Sequence, residues 1–315
     1  MKHAVYPEEQ GTPTVTSADA AYPIANLINY SRGKKWKAAD GVQSATIRLP
    51  ISADAAVVAL DNTNAETIII TITLDSAEQA LNVASATNTG GGLVGIPLDG
   101  HGYSEGESIL LNGTTNYDGV HVLPTQAAGG ENEVIITASY EAEVFAGTET
   151  ACIIVKTTTH TLETASRTFD SFWEEYTEQS AAHHATIKLT AATGETVEAG
   201  IIRAGGLATI KNPARKPNES KVKYHIEKKY KDGSEYFKKK TEVRQISYSM
   251  VMDRDTLYYD LREMCESFGP APFMMLITDN DENKHWTIFG KVTSGPNASH
   301  IADLSTVTMT VRQVV

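Results

Sequence analysis

The chain has 315 residues, 41% of them apolar and 21% charged, with a formal net charge of −12 at pH 7. This is the composition of a globular chain long enough for two or three domains, and it excludes a disordered one. The acidic balance argues against nucleic acid as the main partner and against adsorption to an anionic membrane, since both need a basic surface.

Two cysteines, Cys152 and Cys265, are too far apart for a metal knuckle and too few for a disulfide framework. Both are expected as buried thiols in a reducing compartment. The opening MKHAVYPEEQGTPTV has no apolar run after Lys2 and does not read as a signal peptide. No stretch reaches the roughly 18 apolar residues that would span a bilayer. Synthesis in a cytoplasm, without membrane insertion, is the expectation.

In chain order the β signal dominates. Asp19–Leu27 allows a short helix. Residues 45–51 (ATIRLPI) alternate, 55–60 (AAVVAL) form an apolar run, and 67–74 (TIIITITL) are β-branched almost throughout, which suits a pleated sheet and disfavours a helix. Residues 76–155 are rich in Gly, Asn and Thr, with few bulky core residues. They carry turn clusters at Thr89–Gly92, Asn112–Thr114 and Ala128–Glu131, and read as a small β-module inserted at a loop, where insertion is tolerated. Further strands are expected at Glu133–Ala138, Ala151–Thr157, Ala185–Leu189, Val197–Ile202, Lys221–Lys228, Val243–Met252, Phe273–Ile277, Thr287–Val292 and Thr306–Val314. The last, TVTMTVRQVV, alternates with period two. One helix is expected after Asp253–Thr256. Its face is Leu257, Leu261, Met264, Cys265 and Phe268, and it is closed by Gly269 and Pro270.

Between Lys211 and Arg244 the charge reverses. Lys228, Lys229, Lys231, Lys238, Lys239 and Lys240 stand among Glu227, Asp232, Glu235 and Glu242, with Tyr230 beside an Asp232-Gly233 hairpin signal. Such a hairpin can interlock with a neighbouring subunit. The alternative is a solvated edge hairpin guarded by lysines against aggregation.

Motifs of chemistry are weak. Gly90–Gly95 is glycine-rich but lacks the Lys-Ser/Thr of a phosphate cradle. Asp279–Asn283 alternates oxygen ligands, but Lys284 stands where a calcium loop needs Gly and Gly290 where it needs Glu, so a hairpin turn is the default. His183 and His184 are adjacent and, in a strand, point to opposite faces. Glu174 and Glu175 beside Trp173 suggest a glycosidase pair, but neighbours on one strand point apart and such a pair must converge. No catalytic set, metal site or cofactor is expected. Trp36, Trp173 and Trp286 are expected in cores. Trp36 and Tyr103 keep an alternative role as platforms for a glycan.

Three runs of residues carry a resemblance. Ala21-Tyr22-Pro23-Ile24-Ala25-Asn26-Leu27, then Trp36-Lys37-Ala38 and the strand from Ala45, is similar to discoidin-like modules of phage tail proteins. Gly100–Ile109, Leu111–Thr114 and Asn116–Val122 resemble a small β-barrel repeat of phage structural proteins, related to a β-domain first described in ubiquitin-activating enzymes. Glu107 replaces the usual Asp, and Asp118-Gly119 replaces Asn-Gly. Thr168–Trp173, His184–Leu189 and Glu198–Gly205 resemble the strands closing the discoidin-like fold. The hairpin, helix and terminal strands then follow the order of the tail-tube-like domain of siphophage tails.

The resemblance implies a mainly β chain. A discoidin-like jelly roll (1–75 and 156–210) is interrupted by a small β-barrel or sandwich (76–155) and followed by a tail-tube-like β-sandwich with one α-helix (211–315). It implies a structural ring component of the virion tail tip, with no enzyme activity. The expected partners are other copies of itself in a hexamer, the tail tube protein and the hub or tip proteins. A carbohydrate-binding module for host glycan is the alternative.

Overall fold

The computed structural model describes residues 2–31, 33–74, 78–124, 132–161, 171–210, 218–230, 234–253, 257–269, 271–276, 287–301 and 303–314. The fold is mainly β, with one α-helix among the described residues. The first block holds β1 (Lys2–Glu8), β2 (Thr14–Val15), a 3-10 helix (Ile24–Ile28), β3 (Trp36–Lys37), β4 (Ser44–Ile51), β5 (Ala55–Asp61) and β6 (Ala65–Leu74). The inserted block holds β7 (Gln79–Ala80), β8 (Thr87–Gly90), β9 (Leu93–Pro97), β10 (Ser108–Asn112), β11 (Gly119–Val122) and β12 (Glu133–Thr137). β13 (Thr150–Thr161), β14 (Ser171–Gln179), β15 (His183–Ala191), β16 (Glu198–Ala199) and β17 (Ile201–Ile210) return to the first block. The chain closes with β18 (Asn218–Lys229), β19 (Glu235–Asp253), α1 (Leu257–Phe268), β20 (Phe273–Leu276), β21 (Thr287–Ile301) and β22 (Leu304–Gln313). The turn expected at Ala128–Glu131, the helix-opening Arg254–Thr256, Pro270, Asp279–Asn283 and Trp286 lie outside the described residues.

The first block is a two-layer sandwich. Alternation along β4 sends Ala45, Ile47, Leu49 and Ile51 inward, where they meet Ile68, Ile70 and Ile72 of β6 and Ile187 and Leu189 of β15. Val58 and Leu60 of β5 and Ile202 and Ala204 of β17 supply the facing layer. β5 is buried along its whole length, because Val57 and Ala59 enter a second cluster on its other face. That is why its sequence is continuously apolar rather than alternating.

β13 joins the sandwich to the insertion within one strand. Residues 150–153 pair with β10, and 154–161 pair with β6. The inserted module has a core of its own, built on Leu98, Tyr103, Ile109, Leu111, Tyr117, Val134, Ile136 and Phe145. The sequence looked poor in bulky residues because this core is gathered from strands of four or five residues separated by turns.

The break expected at residue 210 is not a break in the sheet. β1 pairs with β17 on one side and β20 on the other, making one nine-stranded sheet in the order β14-β5-β17-β1-β20-β21-β22-β19-β18. The helix lies on one face of its C-terminal half. There Leu261, Met264 and Cys265 pack on Tyr248, Met250, Met275 and Met309. Gly269 ends it at φ +53°, and its N–H donates to the carbonyls of Cys265 and Glu266 at 3.1 Å.

The opposite face curls until β21 lies against β5 and β14, enclosing Val5, Val57, Ala59, Trp173, Ile201, Met274 and Phe289. Arg203 of β17 is fully buried there. Its Nε donates to Glu8 Oε1 at 2.9 Å, Nη1 to the Ile202 carbonyl at 2.7 Å and Nη2 to the Asn29 carbonyl at 3.0 Å. The guanidinium carbon lies 5.0 Å from the ring centres of both Tyr30 and Phe289. Burial pulls its pKa below the usual arginine value, opposed by the charge of Glu8. One side chain thus ties together the first strand, the loop after the 3-10 helix and the C-terminal block.

Candidate functional site

The basic hairpin forms an arm. β18 pairs with β19 from Asn218↔Ser247 out to Lys229↔Glu235. β19 pairs with β22 only from Gln245 to Asp253. Backbone from about Lys221 to Arg244 therefore leaves the sheet as a two-stranded ribbon. Eight residue steps at about 3.3 Å each give it a reach of roughly 25 Å. At its root Val243 is buried and Arg244 Nε donates to Glu219 Oε1 at 2.6 Å. The register shifts between Lys223 and His225, where one extra residue on β19 bends and twists the ribbon. At the tip the Tyr230 N–H donates to the Ser234 carbonyl at 2.9 Å, and the Tyr230 side chain is 51% exposed beside exposed Lys229. Lys231, Asp232 and Gly233 lie outside the described residues, as do the side chains of Lys228, Lys238, Lys239 and Lys240. Among the described residues the outer edge of β18 has no partner strand.

The glycan platforms are not on the surface. Trp36 is fully buried in the sandwich core with Leu27 and Ala38, and its indole nitrogen meets no acceptor among the described residues. Tyr103 is 7% exposed, and its hydroxyl donates to the Ala151 carbonyl at 3.0 Å. Burial pushes that phenol far above the usual tyrosine range. Neither ring offers a face to a sugar. The apolar area each buries decides its place.

Glu174 and Glu175 point to opposite faces of β14. Glu175 accepts the Trp173 indole N–H at 2.8 Å on one side. On the other, Glu174 is buried and meets three side chains from alternate positions of β13. Thr158 Oγ1 donates at 2.9 Å, His160 Nε2 lies at 2.8 Å and Lys156 Nζ at 2.5 Å. Burial disfavours the charged carboxylate, but hydrogen bonds from His160, Lys156 and Thr158 outweigh it and hold the carboxyl down at about 2. Glu174 is therefore ionised at neutral pH and has no proton to give a leaving group. The two carboxylates face opposite sides of β14 and do not converge on one bond. Lys156 also donates to the Glu175 carbonyl at 2.6 Å, so the cluster laces the two layers together at an open edge of the sandwich. The sequence held a signal for it: Lys156, Thr158 and His160 share one face of an alternating strand.

His183 is buried and its Nε2 lies 2.7 Å from the Tyr176 hydroxyl, with Nδ1 3.0 Å from the Ala181 carbonyl. His184 is half-buried on the other face of β15. Among the described residues no group of three His, Cys, Asp or Glu stands close enough to hold a metal, and no helix is long and apolar enough to cross a membrane. What the described surface offers is the arm. Scans against protein-family models, curated proteins and solved structures each return no match for this chain.

Proposed function

We propose that this protein is a structural ring component at the distal end of a bacteriophage tail, joining the tail tube to the hub or receptor-binding parts. The observation that carries this reading is the arm, a two-stranded ribbon rooted in a nine-stranded sheet and reaching past it with basic residues. A closed ring needs two different patches per subunit, one meeting the other around the axis. An arm leaving one end of a stiff sheet supplies the first patch. The tail-tube-like order of hairpin, helix and terminal strands, and the two phage-type motifs in the first 122 residues, support the same reading. The glycan-binding alternative loses its support with the burial of Trp36 and Tyr103.

The test is negative-stain imaging of the purified chain, alone and mixed with its tail tube protein. Closed rings with a central channel, near six subunits, are expected in at least one of the two samples. Monomers in both would contradict the proposal.

A further inference from the structure

The arm and the inserted module carry opposite net charge, and the module holds no basic residue except histidine. No Lys or Arg occurs between Leu49 and Val155. Residues 76–155 contain eight Glu and two Asp, a formal −10, while the whole chain is −12. Residues 218–244 of the arm contain eight Lys and one Arg against four Glu and one Asp, a formal +4.

The module's charge is little cancelled from within. Arg48 reaches it at the base, 2.6 Å from Glu78. Other carboxylates take neutral donors. Glu143 accepts the N–H groups of Thr115 and Asn116, Glu149 those of Ala146 and Thr148, and Asp118 that of Thr114. These bonds order loops without removing charge, and Asp99, Glu105 and Glu141 are exposed.

The same module exposes apolar side chains. Val83 and Val144 are 76% and 73% exposed, and Val120 and Val122 on the edge strand β11 are 48% and 59% exposed. The Ser85↔Val144 bridge makes Val83 and Val144 diagonal neighbours on the outer face, while Phe145 turns into the core. An exposed apolar set in an acidic field fits a partner that is basic and aromatic. The arm answers that description, with Lys229 and Tyr230 exposed at its tip. Among the described residues the backbone of the arm pairs with itself alone, and β18 and β19 lie in a different sheet from the strands that carry the module.

We infer that the basic arm of one copy docks on the lysine-free inserted module of the next copy. The inference rests on the ring reading above and names the acceptor face that reading lacks. A contact between two different patches propagates around a ring, and charge steering would set its direction.

The test uses the full chain and native mass measurement at 50 and 500 mM NaCl. One variant reverses the arm (Lys228→Glu, Lys229→Glu, Lys239→Glu). The other reverses exposed module carboxylates (Asp99→Lys, Glu105→Lys, Glu141→Lys). The parent assembly is expected to weaken at least ten-fold across that salt range. Each variant alone should be monomeric while keeping the parent's circular dichroism and melting curve. An equimolar mixture of the two should assemble again, because both arm–module contacts are then attractive. Assembly that survives either reversal, or two folded variants that fail to recombine, overturns the docking and leaves the ring standing. A parent that is monomeric in every condition, with the tail tube protein present as well, overturns both.

Discussion

Arg203 shows how much of this fold depends on single side chains. It is buried in the curled face of the sheet, with Glu8, two backbone carbonyls and two aromatic rings around it. Removing one partner of a buried pair leaves the other uncompensated. Arg203→Met is expected to destabilise by about 3 kcal/mol, read from the urea midpoint, with little change in slope. Glu174 makes a prediction in pH. Its folded value of about 2 lies below the ordinary 4.5. A depressed carboxyl contributes stability that is fully present above about 4.5 and is lost as pH falls from there toward 2. Solvent reaches Lys156, whose side chain is 41% exposed, so the contribution is discounted to on the order of 2 kcal/mol. Glu174→Gln should flatten the acid limb of a stability–pH curve between about pH 4.5 and 2 relative to the parent. An unchanged limb would remove Glu174 from the account of acid stability.

At the scale of elements, the helix and the arm behave as separable parts. Gly269→Ala places a side chain at φ +53° and should cost about 1 kcal/mol, seen as a lower melting temperature with the sheet signal retained. Replacing residues 223–240 by a two-residue turn should leave the melting temperature within a few degrees, because among the described residues β19 pairs with β22 only from Gln245 onward.

The sequence displayed these elements unevenly. β4 and β22 were legible because one face of each is buried, so burial writes a period of two into the residues, and β6 was legible by its β-branched run. β5 was legible as an unbroken apolar run, and α1 by its apolar face. β1 was not, because its strand character comes from β17 and β20, which lie some two hundred residues away or more. β14 was hidden by its carboxylates, which read as chemistry when they are a lace and an indole acceptor. The short strands of the module were masked by the glycines and asparagines of their turns. The candidate site divides the same way. The arm's two strands and its charge were visible locally. The burial of Trp36 and Tyr103, and the convergence of Lys156, Thr158 and His160 on Glu174, depend on which strands the fold brings side by side.

At the scale of the whole molecule, one sheet runs from the first block into the last and carries the arm, and the second sheet carries the inserted module. The inserted module hangs from β13, and the arm leaves the far end beyond β22. A stiff body with an acidic face on one addition and a basic reach on the other is suited to repeat around an axis, which is the central claim. Native mass spectrometry of the full chain beside the chain lacking residues 223–240, each with the tail tube protein present, tests it most directly. The account predicts a single closed oligomer for the parent and a folded monomer for the shortened chain. The same oligomer from both, or monomers from both, would contradict it.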